Sequence, residues 1–160
     1  MSVPQPTIRE TALPDPGCGP YGITAGPDGT LWFTRSGDHR IRRITTAGAT
    51  TSVALPAGTA PGGIAAGPDE ALWYAGMSSD TVGRVDIDGA HTAYPLPVAG
   101  GFPSMITAGP DEALWFTLNQ ANAIGRIALD GTVRLHPLPT DAAGPVGITC
   151  GIDGALWFVG

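Results

Sequence analysis

Histidines, carboxylates and thiols are the groups that could carry chemistry in this chain. Their spacing argues against most of it. His39, His91 and His136 lie 52 and 45 residues apart. A metal set needs ligands that converge, and these are too scattered to form one. They read as exposed surface, with His39 in a turn and the other two at or on outer strands. Asp28, Asp69, Asp111 and Asp153 each follow a Gly-Pro or Gly-Ile pair. An Asp there hydrogen-bonds the backbone of its own turn, so the role is structural. A calcium β-roll would need denser acids. No Ser-His-Asp order and no phosphate-cradling glycine loop is visible. Cys18 and Cys150 lack metal-like spacing and read as free thiols, because a disulfide would have to join opposite ends of the chain. Arg35, Arg84 and Arg126 read as surface charges. The last two lie at the same point of a third strand, which suits a repeat-linked structural role.

The elements that would have to position such groups form a repeat. The phrase Gly26-Pro27-Asp28-Gly29-Thr30-Leu31-Trp32-Phe33-Thr34 returns as Gly67-Pro68-Asp69-Glu70-Ala71-Leu72-Trp73-Tyr74-Ala75. It returns again as Gly109-Pro110-Asp111-Glu112-Ala113-Leu114-Trp115-Phe116-Thr117, and finally as Gly151-Ile152-Asp153-Gly154-Ala155-Leu156-Trp157-Phe158-Val159. The tryptophans are 41, 42 and 42 residues apart. Each unit predicts four strands. A short apolar strand follows a proline, a Gly-Pro-Asp turn leads to Leu-Trp-Phe, and a polar turn leads to a third strand such as Ala123-Ile124-Gly125-Arg126-Ile127. An Asp-Gly turn, which supplies positive φ angles, leads to a fourth strand ending in Leu-Pro. Four antiparallel strands in ~42 residues are the period of a β-propeller blade. The Trp row is expected between blades, as core.

The predicted units are a lone outer strand over 7–14, blades over 20–56, 61–97 and 103–139, and the inner half of a fourth blade over 145–160. Propellers typically have about 4–8 blades, so this ring does not close by itself. Leaving ~5 large apolar side chains wet at an open blade face costs roughly 7–15 kcal/mol. That matches the whole stability of a typical domain, about 5–15 kcal/mol. The expectation is a partial sequence, with a ring completed by a second chain as the alternative.

Composition narrows the partners. The chain has 160 residues and a net charge of −6, with no Lys/Arg cluster. That argues against nucleic acid or an anionic membrane. Gly and Pro together make a quarter of the residues, but they sit at turns between apolar stretches and do not signal disorder. The first twenty residues lack a signal-peptide pattern and no apolar run is long enough to span a bilayer, so the expected compartment is the cytoplasm.

Gly19-Pro20-Tyr21-Gly22-Ile23-Thr24, Gly144-Pro145-Val146-Gly147-Ile148-Thr149 and Asn119-Gln120-Ala121-Asn122-Ala123-Ile124-Gly125-Arg126 resemble the virginiamycin B lyase (streptogramin B lyase) family. The resemblance covers nearly the whole chain and follows the order of the N-terminal half. It implies a seven-bladed propeller that linearises type B streptogramins, which are cyclic depsipeptides, by elimination at the ester bond. It also implies a histidine base and a Mg²⁺ held by carboxylates. The α-proton is a weak acid in water, so a positioned base and a nearby cation are both needed.

The family's histidines follow the proline that opens the innermost strand in late blades. The matching positions here are Tyr21, Gly62, Ser104 and Val146. Its metal-binding carboxylates precede such a proline or follow a Trp-Phe pair. The matching positions are Gly19, Ala60, Phe102 and Gly144, and then Arg35, Gly76, Leu118 and Gly160. None is histidine or acidic, so the catalytic residues and Mg²⁺ ligands are not expected in this chain. Resemblance makes Tyr21 a substrate-binding candidate, since a phenol packs on apolar groups and offers a hydrogen bond. Ser104 occupies the same slot two blades on and is a second candidate. The leading reading is a partial lyase, inactive alone, and the alternative is a non-catalytic binding propeller. A lactonase-like hydrolase ranks last, because its metal site needs inward Glu, Asn and Asp.

Overall fold

The computed structural model describes residues 1–160, and they form β-strands without a helix. The first sheet holds β1 (Pro20–Ala25), β2 (Leu31–Arg35), β3 (Arg40–Ile44) and β4 (Thr50–Ala54). The second holds β5 (Pro61–Ala66), β6 (Leu72–Gly76), β7 (Thr81–Val85) and β8 (His91–Pro95), and the third holds β9 (Pro103–Ala108), β10 (Leu114–Leu118), β11 (Ala123–Ile127) and β12 (Val133–Pro137). A fourth sheet has two strands, β13 (Ile148–Cys150) and β14 (Leu156–Phe158). Each four-stranded sheet is an antiparallel meander in sequence order, which is the blade of a propeller.

Adjacent blades touch through their first strands, β1 to β5 and β5 to β9, so these strands are innermost. They approach closely. A Cβ on Gly22 would come 3.0 Å from the Gly62 carbonyl oxygen, and one on Gly63 would come 2.8 Å from the Met105 Cα.

Second strands are apolar on both faces, and blade packs on blade through them. Trp32 of the first blade packs with Ile64, Leu72, Tyr74 and Val85 of the second. Trp73 of the second packs with Ile106, Leu114, Phe116 and Ile127 of the third. The tryptophan therefore faces the following blade, and the next aromatic along faces the preceding one. At the two flanks the same positions are open, with Ile23 66%, Leu31 41% and Trp157 61% exposed.

The third strands of the second and third blades carry glycine where that aromatic lies, whereas Phe33 of the first faces Arg42. Tyr74 pairs with Gly83 and Phe116 with Gly125, and a Cβ on either glycine would fall inside the ring. This explains the recurrent Gly-Arg step. Residues 7–14, read from the sequence as an outer strand, form no ladder here. Arg9, Thr11 and Leu13 instead line a cleft with Tyr21, Ile23 and Phe33 on the open face of the first blade. A strand needs a neighbour's N–H and C=O groups, and none borders this segment.

Candidate functional site

The four turn aspartates are the repeat's fasteners. Asp69 Oδ1 accepts the Trp73 indole N–H at 3.0 Å, and Asp69 Oδ2 accepts from Arg84 Nε at 2.8 Å. Asp111 repeats this with Trp115 at 2.9 Å and Arg126 at 2.7 Å. Asp28 does so with Trp32 at 3.2 Å and Arg43 at 2.9 Å. Trp73 and Arg84 are cross-strand partners, which puts both donors over one carboxylate. Burial pushes these carboxyls up, but the hydrogen bonds from the indole and guanidinium outweigh it at Asp69 and Asp111 and leave them below the ordinary carboxylate value. Arg84 and Arg126 are thus structural members of the repeat.

Arg35 departs from the sequence reading. It is fully buried, not a surface charge, and it pairs with Asp38 and, at 3.1 Å, with Asp15. The residues before β1 fold back over the end of β2, which covers it. Gly37 N–H donates to Cys18 O and Ser36 N–H to Gly19 O. Both cysteines are free thiols.

The histidines also differ from plain surface groups. His39 is half-buried, and its Nδ1 accepts the Ala60 N–H at 3.0 Å, which assigns the proton to Nε2. His91 is half-buried, with Nε2 2.7 Å from the Tyr74 hydroxyl. Burial holds the His91 imidazole below its usual value and pushes the Tyr74 phenol up. Only His136 is exposed, stacked on Trp115 at 5.5 Å. The His91 ring meets a buried tyrosine where the third blade has a phenylalanine, and that difference was the available signal.

The innermost strands all begin at one end, which makes a rim. The residue before each opening proline is left-handed, with φ of 57° at Gly19, 44° at Ala60, 52° at Phe102 and 57° at Gly144. A side chain just before the third strand of the preceding blade caps the last three of these turns. His39 accepts from Ala60 N, Asp80 Oδ1 from Phe102 N at 3.3 Å, and Asn122 Oδ1 from Gly144 N at 3.2 Å. Register shifts lie between Pro20 and Ile23 and between Pro61 and Ile64. Such bulges re-aim the side chains between them.

Threonines tie adjacent innermost strands together below the rim. Gly22 N–H donates to Thr34 Oγ1 at 2.9 Å, and that hydroxyl donates to Gly62 O at 2.6 Å. Thr117 does the same between Met105 N at 3.1 Å and Val146 O at 2.8 Å.

The two sequence candidates fare differently on this rim. Tyr21 lies in the first bulge, 53% exposed, where the rim meets the cleft lined by Arg9, Thr11 and Leu13 on the open face of the first blade, and its hydroxyl makes no bond within the chain. Ser104 is 3% exposed, and its hydroxyl donates to Phe102 O at 3.2 Å. Tyr21 therefore presents a free phenol, whereas Ser104 is turned inward. Exposed apolar groups on the same rim are Phe102 and Val146, which sequence reasoning treated only as positions lacking a carboxylate or a histidine.

No three His, Cys, Asp or Glu side chains converge as a metal set. Magnesium prefers carboxylate and water oxygens, and the rim positions equivalent to the family's carboxylates hold glycine, alanine, phenylalanine, leucine and a buried arginine. These residues do not fit a Mg²⁺ site.

Four-stranded antiparallel blades that pack through their innermost strands, whose ends form an open rim, define a β-propeller. The chain belongs to the virginiamycin B lyase family, whose family model matches residues 2–160. A virginiamycin B lyase from Saccharopolyspora erythraea is 54% identical over 50 residues, covering 31% of this chain and 17% of that protein. A catalytically inactive virginiamycin B lyase from Staphylococcus aureus, solved with quinupristin, superimposes with a TM-score of 0.93 at 45% identity. That match covers 96% of this chain and 53% of the other. The chain thus spans about half the length of that solved lyase. A gluconolactonase from Xanthomonas campestris has a TM-score of 0.74 at 19% identity, which shows the fold alone.

Proposed function

We propose that this chain forms the N-terminal blades of a propeller that opens type B streptogramins by Mg²⁺-dependent elimination at the ester bond. A base removes the proton α to a carbonyl, a C=C bond forms, the C–O bond of the ester breaks, and the carboxylate leaves. In this reading the base and Mg²⁺ ligands come from outside these residues. This chain contributes one wall of the channel mouth, works in the cytoplasm, and binds the cyclic depsipeptide without opening it. The supporting observation is Tyr21, whose free phenol stands on the rim of a chain 45% identical to a lyase solved with quinupristin.

The test is calorimetric titration of quinupristin into this chain, with ring-opening followed by mass spectrometry in Mg²⁺ buffer. Saturable binding that Tyr21→Ala weakens, with the ring intact, is expected. No binding overturns the reading. A second reading, a non-catalytic binding propeller, fits the residues at the opening prolines, Tyr21, Gly62, Ser104 and Val146, equally well, and stoichiometric capture of one other partner would support it.

A further inference from the structure

Phe102 pairs a strained backbone with an exposed ring. Its φ is 52°, an uncommon conformation for a bulky residue. Glycine occupies the equivalent turns at Gly19 and Gly144 and alanine at Ala60, so the repeat itself asks for a small residue. The backbone bonds do not need the ring. Phe102 N–H donates to Asp80 Oδ1, and Phe102 O accepts from Asn119 N–H at 3.1 Å. A glycine would make both bonds without the steric cost.

The turn is nevertheless held firmly. The Asp80 carboxylate also accepts Gly100 N–H at 2.7 Å and Gly101 N–H at 2.9 Å, so three consecutive amides are clamped. Phe102 stays 39% exposed, two residues before the slot that holds Tyr21 in the first blade. Strain that the surroundings over-determine is characteristic of ligand sites.

We propose that Phe102 is a specificity-determining contact, an aromatic shelf for the apolar side chains of the cyclic depsipeptide, carried on the turn that the Asp80 carboxylate clamps. The proposal rests on the reading that the rim binds a streptogramin. Phe102 and Tyr21 then touch the ligand from two blades, and the ring earns its place by affinity where glycine would serve the fold.

The experiment compares quinupristin titrations of the wild-type chain, Phe102→Gly, Phe102→Leu and Tyr21→Ala, each with a thermal melt. Phe102→Gly is expected to weaken binding about tenfold, the effect of one lost aromatic contact, without lowering Tm. Phe102→Leu keeps bulk without the ring and is expected to lie between them. Unchanged affinity in both Phe102 variants, with Tyr21→Ala still weakened, overturns this proposal and leaves the proposed function standing. A wild-type chain that binds no quinupristin overturns both.

Discussion

Arg84 and Trp73 meet on one carboxylate. Guanidinium and indole donate to the two oxygens of Asp69, and they come from facing positions of neighbouring strands. The turn, the second strand and the third strand of the blade are therefore locked by a single side chain. Asp69→Ala removes the acceptor from two donors, one of them on a fully buried tryptophan. The expected loss is about 1–3 kcal/mol in urea melts. Asp153→Ala should cost less, because Trp157 is exposed and no arginine joins it.

Acid should loosen the same fasteners. Asp28, Asp69 and Asp111 are held below the ordinary value of 3.8, so the unfolded chain binds their protons more readily. Their stabilisation is complete above that value and is lost as pH falls through the lower folded ones. Melts between pH 7 and pH 2 should show this limb shrink in Asp69→Asn.

His91 adds a separate, milder limb. Its folded value lies below the ordinary 6.5, so unfolding takes up a proton as pH falls below that value. Stability should decline from there, and His91→Val should flatten the decline. The third blade shows a fully apolar solution, with Phe116 and Val133 at the equivalent positions. Tyr74→Phe alone leaves His91 without its partner and should cost about 1–3 kcal/mol, whereas Tyr74→Phe with His91→Val should be near neutral. A thermal-melt double-mutant cycle checks this.

Ala75 occupies the position of Thr34 and Thr117, so no hydroxyl relay links the second blade to the third. Ala75→Thr should install one between Gly63 N–H and Ser104 O. The expected gain is about 0.5–1.5 kcal/mol in urea melts, with slower exchange of the Gly63 amide.

Arg35 is buried against two aspartates, and removing one member of such a pair strands the other charges. Arg35→Met should lower Tm more than Asp15→Asn, since Asp15 is mostly exposed and Arg35 would keep Asp38. Because Arg35 lies opposite Pro20 in the ladder, its loss should also raise limited proteolysis within residues 15–19.

Much of this was readable before any coordinates. The four Leu-Trp repeats, their constant spacing and the turn aspartates dictate four-stranded sheets, because strand period and turn chemistry are local properties of the chain. The residues after the opening prolines, Tyr21, Gly62, Ser104 and Val146, are likewise read from the repeat register alone. What a side chain touches could not be read the same way. Arg35 is buried because Asp15, twenty residues earlier, folds over it. His39 is an acceptor because Ala60 N–H arrives from the next blade. Ser104 turns inward while Tyr21, in the same repeat slot, stays open, and Phe102 stands exposed where glycine would suffice. Register is written in nearest neighbours along the chain, but burial and partnership depend on which residues distant in sequence a neighbouring blade or turn brings alongside. Only the tertiary structure decides that.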